Sequence, residues 1–112
     1  MPAVMKCPTC GFQGNHGFTD TVAGIVRFYH STPDPQQEGQ VQGNCYSFHA
    51  DDQWFTTLED AWKHVRPRLV REQTARDGKP DTNWLGAWDA RILDHDERKA
   101  KKLFKAWENS WR

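Results

Sequence analysis

The first residues whose types and spacing suggest chemistry are Cys7 and Cys10, in the segment Cys7-Pro-Thr-Cys10-Gly11. Two thiolates separated by two residues across a tight turn can bind one tetrahedral zinc ion, each at about 2.3 Å. Gly11 favours such a turn because glycine adopts positive φ angles without a steric penalty. The segment therefore predicts half of a metal site, and the rest of the chain must supply two further ligands.

Cys45 is the one remaining cysteine of the three in the chain, and we expect it to be the third ligand. The fourth ligand must then be a histidine. His49 is the favoured candidate because Cys45 and His49 form a C-x3-H pair, while His16, His30 and His64 remain alternatives. In a straight strand, four residue steps would separate Cys45 from His49 by about 13 Å. His49 can therefore bind the same ion only if the chain turns or bulges between them.

The segment Cys7-Pro-Thr-Cys10-Gly11, followed by Phe12, resembles the first knuckle of zinc-ribbon and treble-clef proteins. The resemblance covers five residues and implies a structural zinc ion rather than a particular biochemical activity. These proteins normally carry a second CxxC pair, which this chain lacks. A redox CxxC pair is the alternative, but it would begin a helix, and the glycines that follow Cys10 argue against one.

The composition predicts one small domain that needs a covalent or metal staple. The chain has 112 residues, of which 37% are hydrophobic, and a mean hydropathy of −0.91. A domain of this size and polarity buries little apolar surface, so a bound metal is expected to contribute to its folding. The beginning of the chain, MPAVMK, lacks the apolar run of a secretory signal, and we expect a cytoplasmic protein without a membrane-spanning segment.

Residues 1–56 are predicted to form a β-rich half that carries the zinc knuckle. Thr21–Ser31 and Val41–Ala50 are candidate strands rich in β-branched and aromatic residues, and a polar loop between them predicts a hairpin. The segment DDQWF is a candidate for a short further strand.

Residues 57–112 are predicted to form a helical, basic half. A first helix begins after Thr57, and Pro67 is expected to kink it or end it early. Asp81 or Thr82 should cap a second helix, and Asp94 should cap a third. The predicted fold is therefore α+β: a zinc-stabilised β-hairpin or ribbon followed by two or three helices, in a single domain spanning residues 1–112.

The net charge of zero hides an asymmetry between the two halves. Residues 1–62 carry two basic and seven acidic side chains, whereas residues 63–112 carry thirteen basic and eight acidic ones. The basic face of the helical half is a candidate surface for a partner or for nucleic acid. Its candidate residues are Arg66, Arg68, Arg71, Arg76, Arg98, Lys99, Lys101, Lys102, Lys105, Trp107 and Trp111.

These features favour a non-enzymatic, zinc-stabilised binding protein that modulates a protein component of a nucleic-acid machine. Short, charge-polarised, Trp-rich chains of this kind are similar in style to phage accessory and inhibitor proteins, anti-CRISPRs included. A direct DNA- or RNA-binding zinc protein is the first alternative. A metal-dependent nuclease that uses His49, Asp51 and Asp52 is the second, although these acids are also typical of a turn. A homodimer through the last helix is a further possibility.

Overall fold

The structure is a computed structural model that describes residues 3–33 and 41–110. Five strands are followed by three helices, which confirms the predicted α+β class. The strands are β1 (Ala3–Lys6), β2 (Gln13–Asp20), β3 (Val26–Pro33), β4 (Val41–Ala50) and β5 (Gln53–Phe55). The helices are α1 (Leu58–Asp77), α2 (Thr82–Ile92) and α3 (Glu97–Asn109). The chain forms two compact units, Met1–Ala61 and Trp62–Arg112.

The strands form one antiparallel sheet in the order β1-β2-β3-β4-β5, so that each strand pairs with the next one along the chain. The predicted hairpin of β3 and β4 and the short strand β5 are confirmed, whereas β1 and β2 were not predicted. The glycines in β2 are uncommon in strands, so the sequence did not indicate one there. At Gly17 the absent side chain makes room for the ring of Tyr29, whose nearest atom would lie 2.4 Å from a Cβ there. Most of the predicted loop, residues 34–40, lies outside the described residues.

The strand predicted from Thr21 begins instead at Val26. Thr21 closes a turn, because its backbone N–H and its hydroxyl both donate to the carbonyl of Ile25, at 2.9 and 2.7 Å. Gly24 completes this turn with a φ of 79°. Val22 and Ile25 are buried in this turn, so their apolar side chains serve the core rather than a strand.

The acidic pair Asp51 and Asp52 forms the turn between β4 and β5. Both residues have positive φ, 51° and 61°, and the flanking residues Ala50 and Gln53 pair across the hairpin. Two successive positive φ angles are typical of a type I′ turn, the connection that best matches the twist of paired strands. The interpretation of these acids as a turn is therefore confirmed.

Two details of the helix predictions differ from the structure. Helix α1 does not end early at Pro67 but continues to Asp77, because the packing of buried residues such as Val65 offsets the lost backbone hydrogen bond. Asp96, rather than Asp94, is the N-cap of α3, where its side chain accepts from the N–H of Lys99. Asp81 caps α2 as predicted by accepting from the N–H of Trp84.

The helical unit packs around aromatic side chains and one carboxylate. Asp89 accepts from the indole N–H of Trp62 at 2.7 Å and from the Nε and Nη2 of Arg66 at 2.9 and 2.8 Å. This ion pair holds the pKa of Arg66 above its ordinary value. The buried side chains of this unit come from all three helices: Trp62, Val65, Leu85, Ala87, Ala90, Ile92 and Ala100. Among the described residues, no helix combines the length and the apolar character that a membrane span requires.

We expect Asp89→Ala to lower the free energy of unfolding by about 1–3 kcal/mol, because it leaves the indole N–H and the guanidinium without their acceptor. Glu72→Ala is the matched control, since it removes one carboxylate from the exposed Arg68–Glu72 pair. Such a pair contributes less than about 0.5 kcal/mol. Urea denaturation followed by circular dichroism measures both effects. Equal midpoints for the two variants would contradict this role of Asp89.

Candidate metal centre

The knuckle turn brings Cys7 and Cys10 to the same side of the loop between β1 and β2. The N–H of Gly11 donates to the carbonyl of Cys7 at 2.8 Å, and the N–H of Cys7 donates to the carbonyl of Phe12 at 2.6 Å. Gly11 has a φ of 83°, as its place in the motif predicts. Both thiols therefore project from a turn whose backbone is held by two hydrogen bonds.

The other two members of the cluster come from neighbouring strands. His30 in β3 is paired directly with Cys45 in β4. Directly opposed residues of an antiparallel pair place their side chains on the same face of the sheet, at about 5 Å between Cβ atoms. The strand register therefore presents an imidazole and a thiol side by side, and the knuckle turn supplies two more thiols next to them.

The four side chains lie close enough together to bind one metal ion. One ligand atom from each of Cys7, Cys10, His30 and Cys45 lies within 4.8 Å of the others. The Sγ atoms of Cys7 and Cys45 are 3.8 Å apart, and the Sγ of Cys10 lies 3.2 Å from the Nε2 of His30. Tetrahedral zinc with its usual bond lengths would separate two sulfurs by about 3.8 Å and a sulfur from a nitrogen by about 3.5 Å. The spacing thus matches a four-coordinate ion closely.

The hydrogen bonds of His30 prepare it as a ligand. Its Nδ1 lies 3.0 Å from the carbonyl oxygen of Ser31, which can only accept. Nδ1 therefore carries the proton, and Nε2 presents its lone pair towards the cysteines. The ring of Phe12 stacks on that of His30, with centroids 4.3 Å apart, which fixes the imidazole plane. Such outer contacts orient metal-binding histidines and set their tautomer.

The thiols of the cluster differ in their readiness to ionise. Burial alone would raise the pKa of Cys7, but hydrogen bonds from Ser47 and from the backbone of Cys10 and Thr9 lower it to about 5. Burial and the neighbouring Cys10 and Cys7 raise the pKa of Cys45 to about 12. One thiolate therefore forms readily while Cys45 retains its proton. A divalent cation would favour loss of that proton, since metal-bound thiols are deprotonated.

The structure brings the three predicted cysteines together, but with His30, one of the alternatives, rather than with the favoured His49. β4 runs without a turn between Cys45 and Ala50, so His49 lies four residues along the strand, where its ring contacts Trp54 at 4.8 Å between centroids. His16 is buried next to His30, and His64 lies on α1 outside the cluster. Only the pairing of neighbouring strands identifies His30 as a ligand. The spacing of residues along the chain does not reveal which residues of two strands are paired.

An exposed row of aromatic rings occupies the same face of the sheet. Phe18 pairs with Phe28, which is two residues from His30, and Trp54 pairs with His49. The ring centroids are 5.8 Å apart for Phe18 and Phe28 and 5.1 Å apart for Phe28 and Trp54. Phe18 and Trp54 are each 42% exposed. We call Phe18, Phe28 and Trp54 the aromatic patch; sequence analysis missed it, although the alternation of Phe18 with polar neighbours was a usable signal.

The predicted basic surface is divided by its ion pairs. Arg66 pairs with Asp89, Arg68 with Glu72 and Arg76 with Asp77, whereas Arg71 is exposed on α1. On α3, Lys99 is exposed, and four further exposed cations recur at the i, i+3, i+4, i+7 spacing of one helix face. We call these four the α3 stripe: Arg98, Lys101, Lys102 and Lys105. Trp107 is partly buried, and Trp111 lies outside the described residues.

Comparison with known proteins does not assign this chain to a family. No family model, no curated protein and no solved structure matches it. The four-residue cluster and the two surfaces therefore carry the functional argument.

We expect His30→Ala to weaken metal binding and to unfold the sheet unit at a lower temperature, because it removes a ligand from the four-residue cluster. His49→Ala, a change of the same size on the same sheet face, should leave metal binding intact. Metal per chain by atomic emission and thermal melting with and without a chelator measure both effects. Loss of metal in His49→Ala with retention in His30→Ala would reverse the assignment.

Proposed function

We propose that this protein is a small, non-enzymatic, zinc-stabilised binding module that acts on a protein component of a nucleic-acid machine. The proposal has two parts, a structural zinc ion and a protein-binding surface on the sheet unit. Each part is supported by different residues and has a different test.

The ligand set favours zinc in a structural role. Three thiolates and one imidazole at tetrahedral spacing suit zinc, and four protein ligands leave no position for water or substrate. The cluster also provides much of the interior of the sheet unit, where Cys7 and His30 are buried. Binding of zinc to such a set is coupled to folding, so zinc would supply stability that the small apolar core lacks.

The observation that carries the binding function is the exposed aromatic patch on an acidic unit. Residues 1–61 carry seven acidic and two basic side chains. Asp20 and Asp52 are exposed on the strand and the turn that neighbour Phe18 and Trp54. Aromatic side chains are enriched at the centres of protein interfaces, and an acidic rim selects partners with basic surfaces. Proteins that handle nucleic acid present such basic surfaces.

The aromatic patch should be required for partner binding. The experiment is capture of binding proteins from a host-cell lysate on immobilised protein, followed by measurement of the affinity for the purified partner. We expect Trp54→Ala to weaken that affinity by about 30-fold or more, the loss typical of an interface hot spot. The affinity should also fall as salt concentration rises, because opposite charges meet.

Tyr46→Ala is the matched control for this experiment. Tyr46 is 40% exposed on the same sheet. It is adjacent in β4 to Ser47, whose side chain is on the face of the aromatic patch, so the side chain of Tyr46 lies on the opposite face. We expect Tyr46→Ala to bind the partner with the same affinity as the unchanged protein. A partner that binds Trp54→Ala as tightly as Tyr46→Ala would rule out the patch as the interface.

Direct nucleic-acid binding is a second candidate function, favoured by the α3 stripe. Among the described residues, none of its four cations forms a salt bridge with a carboxylate. The apolar residues of α3 lie on the opposite side of the helix: Ala100, Leu103, Phe104 and Trp107. A row of unpaired cations along one helix can follow a phosphate backbone, with an affinity that depends strongly on salt.

We expect any affinity of this protein for duplex DNA to depend on the α3 stripe. Replacing Lys101, Lys102 and Lys105 by Glu should reduce the slope of log affinity against log salt by about 3, one unit for each lost phosphate contact. The control variant makes the same charge change outside α3, at Lys63, Arg71 and Lys79. Fluorescence anisotropy over a salt series measures the slopes. Absence of binding at low salt, or equal slopes for both variants, would exclude this function.

A further inference from the structure

His16 is a buried histidine that the four-residue cluster does not use. It lies in β2 and is 1% exposed. Its Nδ1 is 3.0 Å from the carbonyl oxygen of Gly14, whereas its Nε2 is buried without a hydrogen-bond partner. A buried polar atom without a partner is rare in folded proteins and costs free energy. The Nε2 atom of His16 is therefore available to a ligand.

The tautomer of His16 is fixed in the form that binds metals. A carbonyl oxygen can only accept a hydrogen bond, so the Nδ1 of His16 must carry the proton. The Nε2 atom then holds an unshared electron pair inside the protein. His30 has the same arrangement, with Nδ1 donating to a backbone carbonyl and Nε2 free to bind. The two histidines are therefore prepared for the same chemistry.

His16 is adjacent to the cluster. The β2–β3 register pairs Gly17 with Tyr29, which places His16 beside His30 on neighbouring strands. The two imidazole rings are 4.8 Å apart between centroids and meet edge to face. The unpartnered nitrogen therefore belongs to a residue in contact with His30, one of the four ligands.

Cys10 is the member of the cluster that is most open to solvent. Cys7 and His30 are buried and Cys45 is half-buried, whereas Cys10 is exposed on the knuckle turn. An exposed thiolate is the ligand most accessible to oxidants, alkylating agents and competing metals. A replacement donor that lies inside the protein would keep the metal bound when this ligand is lost.

We propose that His16 is a fifth donor of the metal centre, which takes the place of Cys10 when that exposed thiolate is not bound. The alternative four-ligand shell then consists of Cys7, His16, His30 and Cys45. Zinc keeps four ligands in both arrangements, as structural zinc sites require. The inference rests on the metal-binding part of the proposed function and is independent of the partner surface.

Four variants of the full chain test the proposal: Cys10→Ala, His16→Gln, Cys10→Ala/His16→Gln and the control Cys10→Ala/His49→Gln. We expect Cys10→Ala to bind one zinc per chain, and His16→Gln to bind zinc within about tenfold of the unchanged protein, since its four ligands remain. The double variant lacking His16 should bind zinc at least about 100-fold more weakly than Cys10→Ala. That exceeds the usual effect of losing an outer contact of a ligand. The His49 control should bind like Cys10→Ala.

Cobalt(II) in place of zinc separates a ligand from a residue that only fills space. Cys10→Ala should keep the visible bands of tetrahedral cobalt, and the double variant lacking His16 should show these bands at shifted wavelengths, because a water oxygen then replaces the imidazole as the fourth ligand. The proposal is overturned if Cys10→Ala fails to bind zinc, if both double variants bind alike, or if His16→Gln alone loses zinc or its fold. Failure of the unchanged protein to bind zinc would instead remove the metal centre itself.

Discussion

The sheet unit is organised around three thiols and an imidazole that lie close enough together to bind one metal ion. Its interior holds Cys7, His30 and Ser47 alongside a small number of apolar side chains, so apolar burial alone cannot account for its stability. A buried cluster of thiols and imidazoles is unfavourable unless each group has a partner. His30 and Cys45 lie side by side on one face only in the observed register of β3 and β4. A slip of one residue would place their two side chains on opposite faces of the sheet. The knuckle turn, which connects β1 to β2, then places its two thiols beside this pair.

The same register determines where the aromatic patch lies. Side chains two residues apart along a strand share a face, so Phe28 and His30 are presented together by β3. Phe18 is opposed to Phe28, and the patch therefore continues the row that begins at the metal ligands. Any loss of metal that loosens β3 against its neighbours would also disturb these rings. In the proposed function, the metal centre would therefore support the surface without itself contacting a partner.

Sequence reasoning succeeded where the determining interaction is local. The knuckle cysteines, the turn at Asp51 and Asp52 and the cap at Asp81 each follow from residue types within a few positions. It failed where a distant segment decides the outcome. His30 reaches Cys45 through strand pairing across fifteen residues of sequence, whereas the C-x3-H spacing of His49 is local and geometrically unsuitable in a straight strand. Strand β2 was not predicted because its glycines argue against a strand. Their role is apparent only from the ring that the neighbouring strand places beside them.

The net charge of zero is a sum over two differently organised units. In the helical unit, most cations of α1 are paired with carboxylates, and one of these pairs, Arg66 with Asp89, also binds the buried Trp62. Arg66 therefore contributes to the fold, and among the described residues the positive charge without a salt bridge is concentrated on α3. In the sheet unit the excess is acidic, and Asp20 and Asp52 lie on the strand and the turn next to Phe18 and Trp54. The two surfaces therefore carry opposite charges and are held by different parts of the fold. In the proposed function the acidic surface depends on the metal centre, whereas the basic surface depends on a helical core with its own apolar and ionic contacts. Loss of metal should for this reason affect the two surfaces unequally.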